Sequence, residues 1–168
     1  MFGFNLKKKI SSALEKNVRE RRFHNLDTMR KVMLLFSYKD WKEVEPIVQD
    51  LRGMRKDVQL WTLQNKKDET FSLPPNARVI SSKEISSLTG LSSIVLEEFK
   101  SLTYDTLIDF TTYDDNNLMY LLANNSAEFC IGVKETEYNV FDFTLLKDDD
   151  MNLGEAYNQI KFYLNNIR

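Results

Sequence analysis

Lys31-Val-Met-Leu-Leu-Phe-Ser37 is the stretch that decides the fold class, because its interior is a continuous apolar run between a lysine and a serine. A run this short does not make a helix, and it lacks the alternation that marks a strand with one solvated face. It is typical of a strand buried on both faces, as the strands of parallel sheets are. A helical pattern follows it over about residues 40–53.

Outward from this stretch, strands alternate with helices along most of the chain. Further strands are predicted at 57–63, 106–111, 128–133 and 139–146, with helices that include 116–125 and 152–167. Such alternation predicts a three-layer α/β fold, a mainly parallel sheet of about five strands with helices on both faces. Only residues 134–138 join the last two strands. Because that link is too short for a parallel crossover, we expect an antiparallel hairpin at the C-terminal edge.

The N-terminal region carries most of the positive charge. Residues 1–31 contain nine Lys or Arg and three Asp or Glu, a net charge of +6, so the remainder carries −8 within the overall −2. Leu6, Ile10, Leu14 and Val18 recur every four residues, which predicts an amphipathic helix over about residues 5–22. We therefore expect a basic amphipathic N-terminal helix at residues 1–24 and a single α/β domain at residues 25–168.

Three interpretations of this helix stay open. Its apolar stripe packs onto the domain, as amphipathic helices usually do. Alternatively, Phe2 and Phe4 beside the lysines at 7–9 make a weak contact of residues 1–22 with a membrane surface. In the third interpretation the basic face contacts a protein partner. No nucleic acid is expected, because no basic stripe interleaved with aromatic side chains is present.

The residue patterns that carry common chemistries are missing from the sequence. None of the five glycines follows the first strand, so no loop is suited to a dinucleotide or a nucleotide phosphate. The only histidine, His24, has no ligand cluster around it, and we expect neither a metal nor a cofactor. The only cysteine, Cys130, lies in an apolar run and is interpreted as a core residue. A nucleophilic role is the alternative, and it would need a base.

The location of the protein is predicted from what the chain lacks. No stretch approaches the ~18 apolar residues that a membrane span requires. The N-terminus does not have the pattern of a secretory signal. We expect cytoplasmic residence, with peripheral attachment at the inner face of the membrane as an alternative.

Candidate ligand-binding residues lie at the carboxyl ends of the predicted strands, where open α/β sheets bind their ligands. Asp109 could bind a cation or act as a base, whereas in the structural alternative it accepts hydrogen bonds from neighbouring backbone amides. Lys134 follows the next strand. The candidate site comprises Tyr38, Lys39, Asp40, Asp109, Thr111 and Thr112.

Two resemblances to known families add expectations. The stretch Tyr104-Asp-Thr-Leu-Ile-Asp-Phe-Thr111, followed by Leu121-Leu-Ala123 and Ala127-Glu-Phe-Cys-Ile-Gly-Val133, resembles a segment in the N-terminal half of heptosyltransferase-type glycosyltransferases. This local resemblance of residues 104–133 implies a Rossmann-like strand–helix–strand unit. Over its whole length the chain resembles an uncharacterised bacterial family of short α/β proteins, a domain of unknown function. That resemblance rests on Phe36-Ser-Tyr-Lys-Asp-Trp41, Ile108-Asp-Phe110 and Ile160-Lys-Phe-Tyr-Leu164, and it implies a stand-alone cytoplasmic protein and no particular reaction.

The sequence thus leaves three hypotheses about function, and it leaves the oligomeric state open. The missing catalytic groups favour a non-catalytic domain that binds a partner protein through its basic helix or an exposed sheet edge. The second hypothesis is a small ligand-binding protein or enzyme derived from a glycosyltransferase-like half-domain, using Tyr38, Lys39, Asp109 and Thr112. The third is a peripheral membrane protein anchored by its N-terminal helix.

Overall fold

The computed structural model describes residues 2–65, 67–68, 72–86 and 88–167, and it describes side chains from Asn5 onward. Two short antiparallel strands, at residues 85–86 and 90–91, stand apart from the main sheet. In chain order, the elements are α1 (Phe2–Lys16), β1 (Lys31–Ser37), α2 (Trp41–Gly53), β2 (Asp57–Leu63), β3 (Arg78–Ile80), β4 (Ile85–Ser86), β5 (Gly90–Leu91), α3 (Ser93–Lys100), β6 (Thr106–Asp109), α4 (Asn116–Ala123), β7 (Phe129–Gly132), β8 (Phe143–Thr144) and α5 (Leu153–Asn166).

The main sheet has six strands in the order β3-β2-β1-β6-β7-β8, and every neighbouring pair is parallel. Helices α2 and α5 cover one face, while α1, α3 and α4 cover the other. The prediction of a three-layer α/β fold with helices on both faces is therefore confirmed. The sixth strand is β3, a short segment that pairs with the end of β2.

The central position of β1 explains its unbroken apolar run. Val32, Leu34 and Phe36 face the layer of α2 and α5. Met33 and Leu35 face the opposite layer. Successive side chains of a strand point to opposite faces, so a strand between two helical layers has no position for a polar residue.

The predicted C-terminal hairpin is wrong, because β7 and β8 run parallel. Backbone amides of Asp142, Leu145 and Lys147 donate to the carbonyls of Cys130, Gly132 and Val133, a parallel ladder longer than the two residues of β8. The chain between them crosses the face that carries α1 and α4, where Val140 is buried. An extended chain covers ~3.3 Å per residue, so residues 133–142 are long enough to return past a four-residue strand.

Gly132 makes this short crossover possible. A Cβ atom built on Gly132 would lie 2.5 Å from three ring atoms of Phe141, so the ring occupies the space that any side chain at 132 would need. The missing side chain lets the returning chain approach the sheet closely. The antiparallel prediction rested on a link of residues 134–138, whereas the observed link between β7 and β8 comprises residues 133–142.

Helix α1 ends at Lys16, earlier than the predicted residue 22. Leu6 and Ile10 are buried against α4 and its neighbours, whereas Val18 is 93% exposed and lies beyond the helix. The side-chain amide of Asn17 donates to the carbonyls of Ala123 (2.9 Å) and Asn125 (2.8 Å). These contacts tie the chain to the end of α4, and a segment without regular secondary structure begins there.

Residues 17–30, here called the N-terminal strap, run along the amino ends of the strands. The Arg19 guanidinium donates to both carboxylate oxygens of Asp142 and to the carbonyl of Ala127. The Arg22 amide donates to the Glu128 carbonyl, and His24 bonds the Glu128 carboxylate at 3.0 Å. The strap thus joins α1 to the sheet through groups far away in sequence.

Candidate functional site

The carboxyl ends of β1 and β6 meet at the point where the connections diverge. After β1 the chain enters α2 on one face, and after β6 it enters α4 on the other. Adjacent parallel strands whose connections leave on opposite faces create a crevice, which is where such sheets usually bind ligands. Five of the six candidate residues follow these two strands, and Asp109 is the last residue of β6.

Asp109 is completely buried at the end of β6. Its Oδ1 accepts hydrogen bonds from the backbone amide of Thr111 (2.9 Å) and from the Thr111 hydroxyl (2.7 Å). Its Oδ2 lies 3.3 Å from the Nζ of Lys134. Burial raises the pKa of Asp109 above its usual value, and the charge of Lys134 opposes that rise.

Lys134 completes this cluster from the loop after β7, and its side chain is only 9% exposed. Its ammonium donates to the Thr111 hydroxyl (2.5 Å) and to the Tyr113 carbonyl (3.0 Å), in addition to facing Asp109. An ammonium has three donor hydrogens, and three neighbours surround this one. The Thr111 hydroxyl accepts from Lys134 and donates to Asp109. We call these residues, Asp109, Thr111, Tyr113 and Lys134, the strand-end cluster.

The other candidates lie at the periphery of this cluster. Tyr38 is buried at the start of a short 3-10 turn, and Lys39 beside it is exposed. Asp40 is half-buried, and its pKa is raised by burial and by Glu43, with Lys39 and Lys147 opposing. Of the candidate residues, the structure joins Asp109 and Thr111 by hydrogen bonds.

Thr112 is exposed at the border of a cleft of about 420 Å³. Lys134 and Lys147 line the same cleft, together with Glu135 and Asp149. The cleft therefore carries both signs of charge.

The candidate list omitted Lys134 and Tyr113, which belong to the cluster. Lys134 is two residues beyond β7, so its position after a strand was visible in the sequence. Its proximity to Asp109 became visible only with the strand order, which places β7 beside β6. Nothing in the sequence indicated that Tyr113 belongs to the cluster, because Tyr113 accepts from the Lys134 ammonium through its backbone carbonyl, a group that every residue has.

Reactive side chains elsewhere are held in structural roles. Cys130 is buried, and burial raises the pKa of its thiol. His24 is buried at the amino ends of the strands, between the Thr28 hydroxyl and Glu128, whereas the strand-end cluster lies at their carboxyl ends. Within the described residues, no group of three or more His, Cys, Asp or Glu side chains could hold a metal ion. No helix in the described part of the chain has both the length and the apolar character needed to cross a membrane.

The comparison with known proteins identifies a family and no activity. The model of DUF6913, a family of unknown function, matches residues 3–167, from α1 to the end of α5. No curated protein and no solved structure matches the chain. The expected family of unknown function is thereby confirmed. The resemblance of residues 104–133 to heptosyltransferases and the bacterial origin stay predictions.

Proposed function

We infer that this chain, which belongs to DUF6913, is a non-catalytic domain that acts by binding an anionic ligand. The single observation that carries the inference is the strand-end cluster, in which the Lys134 ammonium lies 3.3 Å from the buried Asp109 carboxylate as its counter-charge. A general base or acid needs a position within hydrogen-bond reach of a substrate proton. Asp109 has no exposed surface, and its neighbours are Thr111 and Lys134.

The cluster has the properties of a structural element. A buried carboxylate without a partner carries a large desolvation cost, and the nearby ammonium offsets part of it. The cluster also links the loops after β6 and β7, because Lys134 contacts Thr111 and Tyr113 from the neighbouring strand end. We therefore assign it to holding the two loops together.

The exposed, basic side of α1 is a better candidate for the binding surface than the edge strands of the sheet are. The edge strands β3 and β8 have three and two residues, so they offer few free backbone groups to an added strand. On α1, Lys7, Lys8 and Lys9 are exposed, as is Lys16. Because Leu6 and Ile10 face the core, the basic side of the helix is directed away from the domain.

The same burial weakens the membrane hypothesis. An interfacial helix inserts its apolar face into the boundary of the bilayer, but Leu6 and Ile10 of α1 already pack against α4 and its neighbours. The side chains of Phe2 and Phe4 lie outside the described residues. A membrane contact would then depend on the lysines, as an electrostatic attraction.

A ligand site at the strand ends is the second candidate, favoured by the cleft of about 420 Å³ beside Thr112. Its volume lies within the usual range for small-molecule pockets, ~300–1,000 Å³. In this case a small molecule that enters the cleft, with a nucleotide sugar as the probe, should raise the melting temperature. We expect no such rise. A rise that disappears in Thr112→Arg would favour this second candidate.

The proposed structural role is tested by a double-mutant cycle on Asp109 and Lys134. We expect Lys134→Met to lower the free energy of unfolding by ~3–5 kcal/mol, because it leaves a buried carboxylate without its counter-charge. Asp109→Asn should also destabilise the fold, and the double variant should cost less than the two single losses added together. The matched control is Lys147→Met. Lys147 lines the same cleft as Lys134, but its ammonium donates to the exposed Asp148 carbonyl.

The opposite result would contradict the proposal. Residues retained for activity often reduce stability, so their replacement leaves stability unchanged or raises it. If Lys134→Met and Asp109→Asn both unfold at the urea concentration of the unmodified protein, the cluster is not structural. The catalytic alternative would then be favoured.

A further inference from the structure

A second cleft, of about 440 Å³, lies where α1, α3 and α4 come to an end. Lys9 and Lys16 of α1 and Lys100 of α3 contribute its cationic side chains. Ser12, Tyr120 and Asn124 add polar groups to the walls, and none of the residues that line it is acidic. The lining charge therefore has one sign, unlike that of the cleft beside Thr112.

The lysines of this cleft have little compensation nearby. Among the described residues, no carboxylate lies within ion-pair distance of Lys9 or Lys16. Lys100 pairs with Glu97 at 3.8 Å, but the Glu97 side chain is 73% exposed, and exposed pairs of this kind are weak. The ammonium groups are therefore available to an anion.

Backbone carbonyl groups near this cleft accept hydrogen bonds from asparagine side chains. The Asn17 side-chain amide donates to the Ala123 and Asn125 carbonyls at the end of α4. The Asn124 side-chain amide donates to the Tyr120 carbonyl at 2.8 Å. These bonds use the amide nitrogens of Asn17 and Asn124, so the ammonium groups of the three lysines are the charged donors that the cleft offers to a ligand.

Helix-end electrostatics explain only part of the arrangement. Lys16 and Lys100 are the last residues of their helices, where a cation offsets the negative end of the helix dipole. Lys9 lies two turns before the end of α1, and that effect decays within the last turn. A further reason is needed for its position at the cleft.

We propose that this cleft binds a phosphorylated small molecule that carries at least two negative charges. The proposal rests on the proposed function and specifies its ligand. Lysine binds phosphate as a compact point charge, and three lysines that line one cleft suit a polyphosphate or a group of phosphate esters. The volume is that of a small-molecule site. The headgroup of an anionic lipid shares this chemistry, so the experiment has to separate the two sources.

The test is calorimetric titration of the full-length protein with inorganic tripolyphosphate at low and at moderate salt. We expect one binding site per chain, with an affinity that falls as the salt concentration rises. Lys9→Gln should weaken binding about tenfold, as expected for the loss of one charge-assisted contact, and Lys9→Gln/Lys100→Gln should weaken it further. Lys83→Gln is the matched control, since it removes the same charge from an exposed position outside the cleft. It should change the affinity less than twofold.

Two outcomes would overturn the proposal. Equal weakening by Lys9→Gln and Lys83→Gln would show general attraction of anions to the whole surface. In the second outcome, the protein sediments with phosphatidylglycerol vesicles but does not bind tripolyphosphate in the titration. This result would assign the lysines to a membrane surface. Urea unfolding of each variant confirms that the fold is retained, because glutamine has a helix propensity close to that of lysine. Neither outcome changes the test of Asp109 and Lys134, so a failure of this site is distinguishable from a failure of the proposed function.

Discussion

Replacing Gly132 with alanine tests how the chain crosses from β7 to β8. The new Cβ atom would lie 2.5 Å from three ring atoms of Phe141, whereas carbon atoms in favourable contact are ~3.5–4.0 Å apart. The ring must therefore move by about 1 Å, and overpacking of this kind costs ~1–3 kcal/mol. Alanine also restricts the unfolded chain, which returns ~0.4–1 kcal/mol. We expect a net loss of about 1–2 kcal/mol in the free energy of unfolding.

Urea unfolding followed by tryptophan fluorescence measures this loss, since Trp41 and Trp61 are both buried and report on the two faces of the sheet. With a urea dependence of ~1–3 kcal/mol per molar, the midpoint should fall by roughly 0.5–1 M. Phe141→Ala removes the obstructing ring, so the double variant Gly132→Ala/Phe141→Ala should lose less stability than the two single variants together. An unchanged midpoint in Gly132→Ala, or strictly additive losses, would refute the close approach of Phe141 to Gly132 as the reason for the short parallel crossover.

Three further predictions concern α1, a surface ion pair and the cysteine. Ile10→Ala should lower the free energy of unfolding by ~2–5 kcal/mol, because Ile10 is fully buried, while Val18→Ala at its exposed position should change it by less than ~0.5 kcal/mol in the same urea titration. The hydrogen bonds from Arg78 hold the pKa of Glu84 below its usual value of 4.5, so this contribution to stability is present above pH 4.5 and is lost as the pH falls through the lowered pKa. Glu84→Gln should remove that part of the pH dependence, and an unaltered curve of stability between pH 3 and 6 would contradict the assignment. Cys130, whose thiol pKa is raised by burial, should react with iodoacetamide only in urea; mass spectrometry that detects rapid labelling of the native protein would show that it is accessible.

The central layer of the fold could be predicted because its cause is local. The apolar run in β1 has no alternation, and burial between two helical layers requires this pattern. The helical spacing of Leu6 and Ile10 likewise marked the face of α1 that is buried. In both cases a short stretch of sequence carries the information.

The predictions that failed depended on contacts distant in sequence. The direction of β8 was mispredicted because the last strand was expected to begin at residue 139, whereas β8 begins at Phe143 and the link is longer. The ring of Phe141 lies against Gly132 within this link. The predicted helix was extended through Val18 because its spacing fits a helix. The observed end at Lys16 is instead associated with the bonds of Asn17 to residues more than one hundred positions away. Periodicity does not contain such information.

The sequence predicted where the candidate site lies, but it did not predict all of the residues that form it. Asp109 and Thr111 were found because they lie at the carboxyl end of the strand predicted at 106–111, and the structure joins them. Lys134 lies 23 residues from Thr111 in sequence, and only the pairing of β6 with β7 brings the two together. In the sequence, Lys134 was therefore only a residue that follows a predicted strand. Its role as the counter-charge of Asp109 could not be predicted.

The N-terminal strap has a consequence for how the protein is made. Arg19 bonds Asp142, a partner 123 residues later in the chain. At a synthesis rate of ~5–20 residues per second, that partner leaves the ribosome roughly 6–25 s after Arg19 does. Helix α1 is therefore synthesised before the sheet and the helices against which it packs. Until α4 has been synthesised, the apolar stripe of α1, including Leu6 and Ile10, lacks the native surface that covers it.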